Sequence, residues 1–552
     1  MGSAILDIAT SALRVTQRAL DTTGHNIANV NTEGYSRQRT EVGTREPQFS
    51  GAGYFGTGVQ TTAIRRAYDE FLDTRLRKAT TGFAEVDRYY AMTRQIDNIV
   101  ADPDVGMASA MKNFFNAVHT VADDPTSIPG RQTLLTEAAT LTDRFNLLDN
   151  RLKEIDAQTQ RDLRNLVAEV NATAGEIAQL NQKIVYELAR SQGKPPNDLL
   201  DRRDLLIQQL AEKIDVTPVP QDNGAVSVFI GNGQNLVSDS RTSTLGLKPN
   251  DLDPNRQEVT LTTGGVTTTI TQTLSGGELG GLMRFREEVL IPTQNKLGRL
   301  AAGLALRFND LHAKGYDLDG NTNLNFFSPP TIPVLKNASG NITATYAADA
   351  SGNHTVQNLQ ASDYLLEYDG ASYTLTRLSD RTQTTLTGFP ATIDGITIDL
   401  DAASPPVAGD RFLIRPTADA AGQIATDLTD PRRIAAAAND TSGGAIGDNA
   451  TALELAGLES SKLLLGGKAT LQDAYSQAVA EVGTLARAAE ISRSAHETVK
   501  EQAQQARAEV SSVNLDEEAA NLVKYQQAYQ AAAQVVATAT QTFDTLIGAI
   551  RR

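Results

Sequence analysis

Between Asn514 and Arg552 the apolar residues recur at seven-residue steps. Leu515, Leu522, Tyr529, Val536, Phe543 and Ile550 form one line, and Tyr525, Ala532, Ala539 and Leu546 form a second, three residues further on. This is the a/d pattern of a helix that seats a narrow seam against partner helices. No charge interrupts the seam, and Ala519, Ala520, Ala528, Ala531, Ala533 and Ala537 keep its flanks thin enough for close approach. Asn514 is placed to cap the helix, with Glu517 three residues later to reach back to it.

The other end of the chain carries a matching stripe, Leu6, Leu13, Leu20 and Ile27, with Ala9, Thr16 and Thr23 between them. The two stripe helices are candidates for each other, although periodicity alone fits a helix laid on a globular core equally well. Inside them the pattern predicts helices over Ala67–Ala101, stopped by Asp102-Pro103, and over Met107–Val121, stopped before Pro125. No proline follows Pro129 until Pro195, and Leu134, Leu141, Leu148 and Ile155 run parallel to Ala138, Phe145 and Leu152 at seven-residue steps. A continuous helix of roughly sixty residues would span about 90 Å, too long for a compact globule. Gly193-Lys194-Pro195-Pro196 ends it, and Asp198–Ile214 reads as a further amphipathic helix.

At Asp215 the period changes. Ala225–Ile230 and Val259–Thr273 read as strands by β-branched content and Gly/Asn punctuation, Gly277–Lys314 as a helical island, and Tyr316–Pro416 as a second β region. Helix is expected for the rest of the chain. Gln38–Ile64, rich in Gly, Thr and Arg, reads as an extended connector; it lacks the strand, helix N-terminus and Lys-Ser/Thr pair of a phosphate-binding loop. The predicted class is multidomain α+β. Terminal helices pair in a coiled-coil-like domain (1–40 plus 512–552), long helices form a bundle (41–215, 277–315 and 417–511), and β-rich insertions occupy 216–276 and 316–416.

Composition narrows the function. A formal net charge of −16 without a Lys/Arg cluster argues against a nucleic-acid partner, which needs a basic surface. Aromatic residues make up only 5% and tryptophan is absent, which suits long helices better than a compact catalytic domain. The lack of cysteine excludes disulfides and thiolate metal sites. No apolar run approaches the length of a membrane span, and no basic segment followed by an apolar one marks a cleaved secretory signal at the N-terminus. The glutamates and glutamines flanking the C-terminal stripe do not make the basic face of a membrane-surface helix.

Candidate chemistry is sparse. His25, His119, His312, His354 and His496 are scattered and form no i,i+4 metal pair, and neither a nucleophile elbow nor a Walker-type loop is present. Tyr316-Asp317-Leu318-Asp319-Gly320-Asn321 has the front of a calcium loop but no bidentate Glu where one is required, so a turn is expected. No cofactor, metal or catalytic residue is predicted.

After the N-terminal stripe the chain reads Asn26-Ile27-Ala28-Asn29-Val30-Asn31-Thr32-Glu33-Gly34-Tyr35-Ser36-Arg37-Gln38, turn chemistry at a helix exit. Together with Val513–Ala531 at the other end, this segment resembles the signature of the flagellar axial proteins, the rod, hook and hook-associated family. Asn26, Asn29, Thr32, Gly34 and Tyr35 match the family turn, and the Tyr35-Ser36-Arg37-Gln38 ending favours a hook-associated member. The resemblance implies a non-enzymatic structural subunit at the junction of hook and filament. Its terminal helices would lie innermost and assemble into a tubular ring through Leu6, Leu13, Leu20, Ile27, Leu515, Leu522, Tyr525, Tyr529, Val536, Phe543, Leu546 and Ile550. It further implies, as partners, copies of the chain itself, the hook protein, hook-associated protein 3 and an export chaperone on the C-terminal helix. The location would be extracellular, on the flagellum, reached by the flagellar type III route without a cleaved signal. The alternatives are a rod or hook subunit, or a secreted adhesin or enzyme whose β insertions bind a ligand.

Overall fold

The computed structural model describes residues 2–49, 51, 53–102 and 106–550, with the side chains of residues 2, 3, 546 and 550 outside the description. Pro103 of the expected helix stop lies outside the described residues. Helix α1 (Gly2–Ala28) is followed by β1 (Gln38–Thr44), β2 (Gln48–Phe49), β3 (Tyr54–Phe55) and β4 (Val59–Arg66). β1 pairs antiparallel with β4 and β2 with β3, so the expected connector is a hairpin instead. It folds because α1 gives it a surface: Ser11 Oγ accepts the Val59 N–H at 3.1 Å, and the Thr22 and Thr40 hydroxyls lie 3.0 Å apart.

The body is built from α2 (Glu70–Val100), α3 (Met107–Asp123), α4 (Ile128–Arg190) and α5 (Asn197–Lys213). Asp69 caps α2 by accepting the Phe71 and Leu72 N–H groups, and Ser127 caps α4. With 63 residues, α4 is the predicted rod, about 95 Å long at 1.5 Å per residue.

Strands β5 (Val216–Pro220), β6 (Val226–Ile230), β7 (Gln234–Ser238) and β8 (Arg241–Thr242) form one antiparallel sheet. A second comprises β9 (Thr244–Pro249), β10 (Gln257–Thr263) and β11 (Val266–Thr269). Both lie on α4, whose asparagines act as extra strand partners. The Asn181 amide joins Val226 N, Val226 O and Asp239 O, and the Asn171 amide joins Leu245 N and O. This first β region is thus docked along the rod.

Helices α6 (Gly277–Phe285) and α7 (Ile291–His312), joined through a π-helical turn at Arg286–Leu290, make the expected island. The second β region holds β12 (Val334–Asn337), β13 (Ile342–Tyr346), β14 (Tyr364–Tyr368), β15 (Tyr373–Arg377), β16 (Gln383–Leu386), β17 (Ala391–Ile393), β18 (Ile396–Leu400) and β19 (Arg411–Ile414). Its sheets run β12-β19-β14-β15-β16 and β13-β18-β17. Asp317 accepts the backbone N–H groups of Asp319 (2.8 Å) and Asn321 (2.9 Å), so the calcium-like segment is a turn closed on itself.

Helix does not resume at once after Pro416. Only α8 (Ala420–Gln423) and α9 (Ala450–Gly457) precede α10 (Leu471–Ser511) and α11 (Leu515–Ile550). Asp430-Pro431, Asn439-Asp440 and Gly443-Gly444 break the pattern, and buried Arg131 supplies what the irregular backbone needs by donating to Pro125 O at 2.7 Å and Ile434 O at 2.5 Å. The core is continuous from body to insertions. At its centre Phe114, Phe308, Phe326 and Phe327 pack with ring centroids 4.7–6.2 Å apart. Among the described residues no helix is long and apolar enough to cross a membrane.

Candidate assembly interface

Arg37, just beyond α1, is ion-paired with Glu517 at the start of α11, so the terminal helices pack antiparallel with that end closed. At 27 and 36 residues they measure about 40 and 54 Å, and α11 outruns α1 at the far end.

The contact between them is made by small residues. Ala9, Val15, Ala19, Thr22 and Thr23 are buried on α1, and Glu518, Ala532 and Ala539 on α11. The larger stripe residues fall beside this seam. Leu13, Leu20, Ile27, Leu522, Tyr525 and Val536 are half-buried, whereas Leu6 (37%), Leu515 (52%), Tyr529 (39%) and Phe543 (50%) are exposed, joined by Ile5, Ile8, Val523, Val535 and Ile547. The side chains of Leu546 and Ile550 lie outside the described residues. The line at 518, 525, 532 and 539 therefore meets α1, and the neighbouring line is partly covered at Leu522 and Val536 and open at Leu515, Tyr529 and Phe543.

The turn after α1 is the most densely bonded part of this region. Asn26, 1% exposed, uses its amide as a short strand: Oδ1 accepts the Gln38 N–H at 2.9 Å, and Nδ2 donates to Gln38 O at 2.9 Å. The Tyr35 hydroxyl donates to the same Oδ1 at 2.8 Å and lies 3.0 Å from His25 Nδ1. Burial, and then Asp198, Asp201 and Glu518, push the Tyr35 phenol well above its ordinary range. Asn29 and Thr32 close the turn, with Thr32 Oγ1 donating to Asn29 Oδ1 at 3.1 Å. Gly34 has φ +78°, and a Cβ there would lie 3.0 Å from Leu205 Cβ, so a side chain would be strained in conformation and crowd Leu205.

Beyond the family turn, the same knot ties in α5 and the end of α10, partners that periodicity did not reveal. Ser36 N–H donates to Asp201 Oδ2 at 2.9 Å, Arg66 pairs with Asp201 at 2.8 Å and Asp204 at 2.6 Å, and Arg37 N–H donates to Ser511 O at 2.8 Å. With the Arg66, Asp201 and Asp204 side chains only 6–11% exposed, removal of one partner would cost about 3–5 kcal/mol. The Asp and Arg residues were visible in the sequence, but nothing local marked them as partners across more than a hundred residues. The expected reciprocal cap is half formed: Asn514 Oδ1 accepts the Asp516 and Glu517 N–H groups, while the Glu517 carboxylate turns to Arg37.

The terminal helices thus pair along one line of α11, and part of the neighbouring line stays exposed. The flagella basal body rod protein model matches residues 6–35 and the flagellar basal body rod FlgEFG protein C-terminal model residues 504–549. Between them, the flagellar hook-associated protein FlgK helical domain matches 93–327 and the flagellar hook-associated protein 1 D2-like domain 335–416. The chain is 33% identical over 557 aligned residues to flagellar hook-associated protein 1 of Salmonella typhimurium, covering 99% of each, and 31% identical over 550 to that of Escherichia coli, again 99% of each. The solved flagellar hook junction protein FlgK from Burkholderia pseudomallei superposes with a TM-score of 0.71 at 25% identity, covering 79% of this chain and 100% of that one. At this identity over this length, the chain belongs to the flagellar hook-associated protein 1 family.

Proposed function

We propose that this chain is a structural subunit of the flagellar hook–filament junction that assembles into a tubular ring through its terminal helices. The observation that carries the reading is the exposed positions Leu515, Tyr529 and Phe543 on a helix whose neighbouring line is already packed on α1. Ordering each residue costs roughly 1–2 kcal/mol of backbone entropy, and fully burying a large apolar side chain returns about 1.5–3 kcal/mol. A lone pair of helices seated on alanines is marginal, whereas neighbouring copies laid against the open positions complete it. The inner part then comprises 1–40 plus 512–552, and the hairpin packed on α1 belongs with it. The helical body and the two β insertions lie outward.

The remaining partners are those that membership of the family implies. The hook protein lies below, hook-associated protein 3 above, and an export chaperone covers the C-terminal stripe before assembly. The chain leaves the cell by the flagellar type III route and acts on the flagellum outside, by packing rather than by catalytic turnover. The match of the D2-like domain model to 335–416 favours this over a rod or hook subunit, whose models match only the two ends.

Deleting the gene should leave bare hooks and release filament subunits into the medium. Full-length chain should restore the junction and Val536→Asp should not. Normal junctions built by Val536→Asp would refute the stripe as the assembly element.

A further inference from the structure

Where α1, β1 and the first turns of α11 meet, a polar cavity of about 470 Å³ is lined by Thr22, Thr23, Gln38, Glu518, Asn521 and Tyr525, among others. Glu518 is only 3% exposed, yet among the described residues its carboxylate accepts no hydrogen bond and forms no ion pair. It holds a seam position, seven residues before Tyr525, and lines the cavity as an unpaired carboxylate. The neighbouring cations do not relieve it: Arg37 is committed to Glu517, and Arg39 and Lys524, also in the lining, make no ion pair among the described residues.

The complementary charge is elsewhere on the chain. Arg14 and Arg18, one turn apart on α1, are exposed and have no ion-pair partner among the described residues. We propose that the Glu518 cavity receives the Arg14 or Arg18 side chain of a second copy of this chain, fixing the axial offset between neighbouring terminal helix pairs. This rests on the assembly reading above and adds what that reading lacks. Apolar contact is non-directional, and a repeating alanine-rich seam tolerates sliding by a heptad, whereas a buried charge pair is satisfied in one register. A guanidinium suits the site because it engages a carboxylate with two parallel N–H groups, and Thr23 and Asn521 offer acceptors for the others.

The test uses full-length chain in cells lacking their own copy, scoring the fraction of purified hooks that carry it. Glu518→Arg alone, and Arg14→Glu with Arg18→Glu, should each lower that fraction at least tenfold, and the three together should return it to within threefold of the unaltered chain. Equal melting of the purified monomers establishes that the body is folded. Wild-type incorporation of Glu518→Arg overturns the proposal, as does rescue by Arg39→Glu or Lys524→Glu in place of the α1 changes, or no rescue by any of them. Val536→Asp separates the two levels. If it fails to assemble while Glu518→Arg succeeds, only the pocket assignment falls; if both assemble, the stripe reading falls with it.

Discussion

Arg37 and Glu517 stand 480 residues apart in the chain and meet as an ion pair where α1 leaves and α11 begins. Glu517 is mostly exposed, with 59% of its side-chain surface accessible, so the pair contributes at most about 1 kcal/mol. Its position matters more than its strength. The Arg37 N–H bond to Ser511 O lies beside it, and together they bring the exit of α1 and the start of α11 to one point. Beyond that point the helices are held by the α1–α11 contact and by the hairpin packed on α1.

The Asn26 amide tests how far the turn determines that geometry. Asn26→Ala leaves the Gln38 N–H and C=O and the Tyr35 hydroxyl without their partner in a buried site, a loss of about 2–4 kcal/mol if two groups stay unpaired. Amide exchange over residues 18–40 should accelerate accordingly, while α4 exchanges as before. Tyr35→Phe removes one hydrogen bond and should cost about 0.5–1.5 kcal/mol.

The two lines of α11 should respond differently to substitution. Phe543→Ser changes an exposed residue, so monomer stability should stay within about 0.5 kcal/mol, and incorporation into junctions should fail. Ala532→Leu adds bulk on the face against α1, where Ala532 is 9% exposed, and should weaken the helix pair by about 1–3 kcal/mol. Exchange protection over residues 9–26 of the monomer reads out the second effect, and hook occupancy reads out the first.

His312 gives the body an acid limit. Its Nδ1 lies 2.8 Å from Leu324 O and its Nε2 accepts the Ala435 N–H at 2.9 Å, an arrangement that needs the neutral ring. Burial pushes its pKa down to about 4, against about 6.5 in an unfolded chain. Between those values the unfolded chain takes up a proton that the folded one refuses. Stability is therefore intact above the upper value and falls by up to about 3 kcal/mol as pH drops through the window. His312→Gln should be less stable at neutral pH and should lose this slope. Urea titrations at pH 4.5 and 7 measure both.

Long-period features were legible in the sequence. The rod α4, the island from Gly277, the second β region within Tyr316–Pro416 and the multidomain α+β class follow from periodicity, proline placement and β-branched runs. Features that depend on a distant surface were not. The 38–66 segment forms strands because Ser11 and Thr22 of α1 offer partners to Val59 and Thr40, and the stretch around Ile434 stays irregular because Arg131 bonds its carbonyls. For the candidate interface, the seven-residue step located both terminal helices but did not tell which line would meet α1. In the structure the line through Ala532 and Ala539 does so, since thin residues let the backbones approach, and the bulkier line is left open at Leu515, Tyr529 and Phe543.

That open line is the centre of the account, and amide exchange of α11 in the free monomer and in assembled junctions measures it most directly. In the monomer, protection should be greatest at 514–525, beside the Arg37 knot, and should decline to near none over 529–545. On assembly the latter stretch should gain at least ~100-fold, about 2.8 kcal/mol. Protection of 529–545 in the free monomer equal to that of α10, unchanged on assembly, would contradict it.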